Sequence, residues 1–313
     1  METLPVYKGV SGFFRWKLFF GLSRTPHALL DMATPGLAAI LWLGEFPPIR
    51  IIVLGIITVF AGYTAVYALN DVIDLRTDRE KLRRGGFQDS ENYLDAAIVR
   101  HPIAQGLLSL RSGLLWVAAW AFLSLVGAYL LNPICILIFI AGAFLEIIYC
   151  IMWRISPFRT IVSGAVKTCG AVAAVFAVDP SPSFSLLAIL FIWLFLWEIG
   201  GQNIPNDWAE IEEDTSVQAK TVLVQFGPHW ASAIIFACLV LTIGMNLVLF
   251  VAARYDFSMP YLTASFVIGL YLLLVPGYRL VRTRQRIDAL VLFNRASYYP
   301  LALLVLVTID KLN

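Results

Sequence analysis

The chain has 313 residues, of which 59% are hydrophobic and only 14% charged, with a mean hydropathy of +0.78. Soluble domains run near half apolar and a quarter charged, so this balance is that of an integral membrane protein. The 23 Lys and Arg nearly cancel the 21 Asp and Glu, and a net charge of +2 leaves no basic field to recruit nucleic acid.

In chain order, residues 1–26 open with an aromatic and basic stretch (Phe13, Phe14, Arg15, Trp16, Lys17) that lacks a small-residue cleavage pattern. It is expected to lie along the membrane surface and not to act as a removable signal. About 20 apolar residues cross the hydrocarbon as a helix. Nine segments qualify, near 27–46, 50–70, 112–131, 134–153, 161–178, 184–205, 230–252, 259–278 and 290–309. The expected architecture is all-α and polytopic, one domain over 1–313 with nine transmembrane helices around a central cavity. The four cysteines (Cys135, Cys150, Cys169, Cys238) fall inside apolar runs with no CxxC pair, and read as packing thiols.

Lys and Arg stay on the cytoplasmic side of a membrane. With an alternating topology, 18 of them fall on the face that carries the amino terminus and three (Arg50, Arg254, Lys311) on the other, while Lys167 and Arg295 sit in or beside spans. The amino terminus and the long polar loops 71–111 and 207–229 are therefore expected to be cytoplasmic.

Span two ends in Asn70, Asp71, Asp74 and Asp78, and span six ends in Asn206, Asp207, Glu210 and Asp214; both strings read N-D-x-x-[D/E]-x-x-x-D. Four spans separate the copies, so both open on the same face. This suggests two similarly oriented four-helix halves with a ninth helix appended. On a continuing helix Asn70, Asp74 and Asp78 share a face, as do Asn206, Glu210 and Asp214. The rows run on into the membrane as Tyr63 and Tyr67 in one helix and Glu198 and Gln202 in the other, seams that would line a cavity because polar groups at hydrocarbon depth need protein or water beside them. Carboxylates with amide oxygens are hard ligands suited to Mg2+, which is commonly held by one or two carboxylates together with substrate phosphate oxygens. Two facing clusters would clamp a diphosphate. The other reading is two solvated helix ends.

Glu146 and Tyr149 share a face of span four. Tyr149 is either an interfacial anchor or a cavity residue. Lys167 is the base well inside a span; it either serves the cavity, neutralises Glu146 or Glu198, or extends its stem to the membrane edge.

These residues resemble the UbiA superfamily of intramembrane prenyltransferases over nearly the whole chain. Ser23-Arg24-Thr25-Pro26-His27 is similar to the Arg-Pro-His opening of the first span, His101-Pro102-Ile103-Ala104-Gln105-Gly106 to R-P-[IL]-x-S-G, and Lys220-Thr221 to the [KR]-[ST] after the second motif. The chain departs from the family in having His101 in place of the usual Arg unless Arg100 substitutes for it, Gln105 in place of Ser, Gln218 where Gly often stands, and an extra stretch over 86–93. The resemblance implies transfer of an isoprenyl group from its diphosphate to a lipophilic or aromatic acceptor, of the quinone-precursor kind, with Mg2+ as cofactor.

By that resemblance Asn70, Asp71, Asp74, Asp78, Asp207, Glu210 and Asp214 hold the metal, and Arg24, Lys167 and Lys220 bind diphosphate oxygens. Tyr149, with Tyr63 or Tyr67, faces the allylic cation. The resemblance also makes Asp74, Asp78, Asp207, Asp214, Tyr149 and Lys167 the catalytic set, with Asn70, Asn206, Glu146, Glu198, Gln202 and His101 on the substrate. A terpene cyclase and a polyprenyl-phosphate phosphoribosyltransferase share the same clamp and stay open within the superfamily. A cation- or proton-coupled transporter is the rival class, disfavoured because transporters place their coupling sites near the midplane and these acidic strings sit at span ends.

Overall fold

A computed structural model describes residues 12–85, 99–253 and 257–312; the extra stretch 86–93 lies outside them. Every regular element among the described residues is helical. They are α1 (Gly12–Leu22), α2 (Thr25–Asp31), α3 (Ala33–Leu43), α4 (Ile49–Ile73), α5 (Leu75–Arg83), α6 (Leu110–Leu131), α7 (Pro133–Ile151) and α8 (Arg159–Val178) in the first part of the chain. The second part holds α9 (Phe184–Trp197), α10 (Ile204–Ala209), α11 (Ile211–Ser216), α12 (Val222–Ala252), α13 (Met259–Gly269), α14 (Val275–Thr283), α15 (Arg286–Ser297) and α16 (Tyr299–Leu312).

Among the described residues, eight stretches are long and apolar enough to cross a membrane: α4, α6, α7, α8, α9 with α10, α12, α13 with α14, and α15 with α16. The ninth, the first of the expected spans, is built from α2 and α3 with a break at Met32. Pro35 causes the break. It has no N–H to give the carbonyl of Asp31, the partner four residues back, and the Thr34 hydroxyl donates to that carbonyl instead, at 2.9 Å.

The acidic strings do not sit on continuous helices as expected. Each bends at the acidic residue four positions after its Asn: at Asp74 (φ −79°, ψ 1°) between α4 and α5, and at Glu210 (φ −103°, ψ 16°) between α10 and α11. The hydrogen bonds nevertheless step by four across both bends, with Asp78 N donating to Asp74 O and Asp214 N to Glu210 O, each at 2.9 Å. The backbone turns while the carboxylate row stays together. A second departure lies between α9 and α10, where Glu198–Asn203 forms a π turn. The extra residue per turn shifts everything beyond it by one position, so the row that starts at Glu198 passes to Asn203 and leaves Gln202 facing α15.

Lipid is as apolar as a leucine side chain, so membrane helices associate by close packing and hydrogen bonding. Helix α4 lies on α6, α7 on α8, α3 on α8 and α16, and α9 on α12. In the second half the centre is filled by Leu190, Trp193, Leu194, Trp197, Leu239 and Tyr299, all fully buried, so both tryptophans are packing residues. Trp197 Nε1 donates to the Ala296 carbonyl at 3.0 Å, and Asn246 Nδ2 to Ser265 Oγ at 3.2 Å. Gly200 lets the π turn press on α12; a β-carbon there would sit 2.6 Å from Cys238 Cβ. The first half is not filled. Helices α2, α3, α4, α7 and α8 enclose a cavity of about 680 Å³ that runs from Arg24 and His101 at the motif end to Pro47 and Val178 at the other.

Candidate active site

The bend at Asp74 turns α5 across the end of the bundle, and the bend at Glu210 turns α11 to meet it. Lys81 on α5 joins them, its Nζ 2.9 Å from Asp214 Oδ1 and 3.3 Å from Glu210 Oε2. Arg100 Nη2 lies 2.6 Å from the other oxygen of Glu210, and the Arg84 guanidinium donates to the Ser216 carbonyl. The two motifs thus face one another across one pocket. Burial opposes ionisation of both Glu210 and Lys81, but the Lys81 and Arg100 charges hold Glu210 well below the usual carboxylate range, and Glu210 and Asp214 hold Lys81 above its ordinary value.

His101 adopts a left-handed backbone (φ 49°) that turns its ring into the pocket, with Nδ1 2.6 Å from Asp71 Oδ1 and 2.8 Å from Asp78 Oδ2. Burial works against a charged ring, yet Asp78 and Asp71 outweigh it and push the imidazole up to about 9, so it is a cation near neutral pH. Burial and the neighbouring Asp78 charge push Asp74 up to about 6. On the far wall Arg159, at the start of α8, donates to Asp207 Oδ1 at 3.2 Å and to the Tyr149 hydroxyl at 2.5 Å. Its guanidinium lies 4.2 Å from the Tyr149 ring centroid, and Asn203 Nδ2 donates to the same hydroxyl at 2.9 Å.

Below this pocket the wall of the large cavity carries a second polar cluster. Lys167 Nζ is 2.5 Å from Asp31 Oδ2, 3.2 Å from the Tyr67 hydroxyl and 3.9 Å from Glu198 Oε2. Tyr67 donates to Asp31, Ser163 Oγ to Glu198 Oε1 at 2.7 Å, and Asn70 Nδ2 to Glu146 Oε1 at 2.6 Å. Tyr63 and Tyr67 stack with centroids 6.4 Å apart. Arg24, Asn70, His101, Tyr149, Asn206 and Glu210 line both spaces, which makes polar pocket and apolar cavity one continuous site.

Of the residues singled out in the sequence, the structure brings Arg24, Asn70, Asp71, Asp74, Asp78, His101, Tyr149, Asn206, Asp207, Glu210 and Asp214 to the polar pocket or against its walls. Tyr63, Tyr67, Glu146, Lys167, Glu198 and Gln202 lie on the cavity wall. Lys167 is paired deep in that wall, below the lining of the polar pocket. Gln202 also bonds the Phe293 carbonyl and Ser297 of α15, a consequence of the π turn. Lys220 is exposed and lines neither space; the backbone there serves instead, Lys220 N donating to the Trp153 carbonyl at 2.9 Å.

Lys81, Arg159, Asp31 and Asn203 do not stand out in the sequence as site residues. Lys81 was legible as the residue three on from Asp78, and Arg159 as two turns before Lys167 on one helix face. Arg100 and His101 divide the work expected of a single Arg, one reaching Glu210 and the other Asp71 and Asp78.

Six carboxylates (Asp71, Asp74, Asp78, Asp207, Glu210, Asp214) meet five bases (Arg24, Lys81, Arg100, His101, Arg159) around the pocket, so a further multiply charged anion would need added cations. The donors that would hold them are hard oxygens. Asp71 Oδ2 and Asp207 Oδ2 are buried and accept no hydrogen bond, which is where a magnesium ion's charge fits.

A bundle of membrane-crossing helices around an apolar cavity, closed at one end by paired acidic motifs, defines an intramembrane protein whose charged pocket opens into its apolar interior. The chain belongs to the UbiA prenyltransferase family, whose profile matches residues 32–298. A UbiA homolog from Aeropyrum pernix K1 has the same fold at 20% identity, with a TM-score of 0.71 over 91% of this chain and 98% of its own. A UbiA homolog from Archaeoglobus fulgidus, solved with DMAPP and Mg2+, is 17% identical with a TM-score of 0.64 over 92% of this chain and 99% of its own. A digeranylgeranylglyceryl phosphate synthase is 15% identical with a TM-score of 0.67 over 95% and 98% of the two chains. No curated protein sequence matches the chain at a significant level.

Proposed function

We propose that the protein transfers an isoprenyl group from an isoprenyl diphosphate to a lipophilic acceptor, working from the cytoplasmic face of its membrane. The observation that carries this is the continuity of the site: a charged pocket opens, through shared wall residues, into an apolar cavity of about 680 Å³. An isoprenyl diphosphate has that same division of charge and grease.

Asp71, Asp74, Asp78, Asp207, Glu210 and Asp214, with Asn70, are the residues that would hold Mg2+, supporting the diphosphate as a leaving group by Lewis-acid charge stabilisation. Arg24, Lys81 and Arg159 stand around the same pocket as direct partners for its oxygens. Arg159 is locked by Asp207 and Tyr149, so its charge is pre-aimed and costs little reorganisation. Tyr149 acts chiefly as the seat of that guanidinium, which already occupies one face of its ring. The stacked Tyr63 and Tyr67 supply aromatic wall where the allylic carbon passes from pocket to cavity.

The test is release of inorganic diphosphate from geranyl, farnesyl and geranylgeranyl diphosphates by the full chain in lipid nanodiscs. Release that requires both Mg2+ and an added acceptor supports the proposal. Release with no acceptor points to cyclisation, and no release from any donor removes the reading.

A further inference from the structure

Helix α14 and the turn into α15 carry Arg279, Arg282, Arg284 and Arg286, none of which lines the polar pocket or the cavity. Arg286 turns toward the second motif, its Nε donating to the Ala209 carbonyl at 2.5 Å. Arg279 is paired with the buried Asp288, Nε to Oδ1 at 2.7 Å, and Asp288 Oδ2 accepts from the Thr283 hydroxyl at 2.5 Å. These bonds fasten the turn, in which Arg284 takes a left-handed backbone (φ 52°).

Arg282 and Arg284 are exposed, and unlike the other two each is held by an aromatic ring in place of an acidic or carbonyl oxygen. Arg282 Nε donates to the Tyr278 hydroxyl at 2.8 Å, with the guanidinium 5.2 Å from that ring's centroid. Arg284 Nη2 lies 3.2 Å from His229 Nδ1, and because a guanidinium only donates, the imidazole nitrogen accepts. His229 follows the Gly227–Pro228 kink of α12. Helix α14 presses on α12 at Gly277, where a β-carbon would sit 2.6 Å from Leu239 Cδ1. Two guanidiniums are thus fixed at the end of the α12–α14 seam with no carboxylate against them among the described residues, and each uses one donor on its ring.

Beside them Trp230 and Tyr278 are 61% and 50% exposed. Exposed Trp and Tyr at the ends of spans mark the level of the lipid head groups. The orientation rule accounts for arginines at this face but not for their being braced by neutral partners. Braced guanidiniums match phosphate oxygens, which they bind in pairs of N–H bonds. A zwitterionic head group would bring its own ammonium toward the same two cations, so the pair favours a head group with net negative charge.

We propose that Arg282 and Arg284 form a binding site for the phosphate of an anionic phospholipid, whose acyl chains run along α12 and α14 past Trp230 and Tyr278. The site is separate from the polar pocket and does not depend on the prenyl-transfer reading.

The experiment places the full chain in nanodiscs of three parts phosphatidylcholine to one part phosphatidylglycerol. Either lipid is brominated near the head of its acyl chains at the same mole fraction, and quenching of Trp230 is read as the difference from Trp230→Phe. Phosphatidylglycerol should be preferred over phosphatidylcholine by about fivefold or more, the scale one basic residue supplies near an anionic surface. Arg282→Gln and Arg284→Asn, the latter suited to a left-handed backbone, should each lower the preference and together abolish it. Affinity of the double variant for geranylgeranyl thiolodiphosphate with Mg2+ should stay within twofold of wild type, which also shows that it is folded. Millimolar inorganic phosphate should leave the quenching unchanged. Equal quenching by the two lipids, or a preference that persists in the double variant, overturns the site. Loss of the preference in inorganic phosphate would make it a site for free phosphate and overturn the lipid assignment.

Discussion

Arg159 does two jobs with one guanidinium, neutralising Asp207 and seating Tyr149. Arg159→Met keeps the bulk of the stem but strands a buried carboxylate, at a cost of about 3–5 kcal/mol. Its thermal midpoint in detergent should fall clearly below wild type, and a midpoint equal to wild type would show that Asp207 finds another partner. Tyr149→Phe separates ring from hydroxyl. Because the hydroxyl accepts from both Arg159 and Asn203, its removal leaves two buried donors unsatisfied, at about 1–3 kcal/mol each. Turnover should drop about tenfold, with a larger drop in Tyr149→Leu; full activity in the Phe variant would return Tyr149 to the role of a simple aromatic wall. Asp71→Asn and Asp207→Asn each replace an oxygen that accepts nothing in the fold. Each should lose about a hundredfold or more in turnover, partly recovered at high Mg2+, as measured by diphosphate release over a magnesium titration.

The helices were legible in the sequence and their interruptions were not. Hydropathy places eight of the nine spans to within a few residues at most ends, because about 20 apolar residues are needed whatever packs against them. The start of α12 is the exception: it begins at Thr221 and Val222, then kinks at Gly227 (φ 76°) before Pro228, so the expected start at 230 marked only the part beyond the kink. The matched spacing of the acidic strings revealed the site, since spacing survives a bend that keeps four-residue hydrogen bonding. The bends at Asp74 and Glu210 and the π turn at Glu198–Asn203 leave no periodic trace; only Gly200 and Gly201 hint at the last. That turn can be tested as an element. Deleting Gly201 removes the extra residue and returns the segment to α-helical register, rotating Asn206, Asp207 and Asn203 by about 100° relative to Glu198. The variant should insert and fold but lose Mg2+-dependent thiolodiphosphate binding, whereas binding retained at wild-type affinity would mean the turn does not set the motif's direction.

At the scale of the molecule, the fold sets a charged pocket at one end of the bundle above an apolar cavity, and the two motif helices must lie on the same side because Lys81, Arg100 and Arg84 cross between them. Which side of the membrane that is can be predicted from charge. Of the 18 Lys and Arg assigned to the motif face, Lys81 and Arg159 are buried against carboxylates and Arg100 is partly buried against Glu210. The rest still exceed the three on the opposite face several-fold, and the asymmetry of Lys and Arg near span ends sets orientation. Arg83 at the end of α5 and Glu212 on α11 are exposed on the motif face, and Ser183, just before α9, is exposed at the other. Cysteines placed singly at these positions should react with a charged, membrane-impermeant maleimide from different sides: positions 83 and 212 only when the cytoplasmic face is open to the reagent, and position 183 only from outside. The four native cysteines lie within spans, where a charged reagent pays a large desolvation cost. If 83 and 212 labelled from opposite faces, the charged pocket they flank could not exist as one site; if both labelled from outside with 183 within, the pocket would stand but would draw its diphosphate from the other compartment.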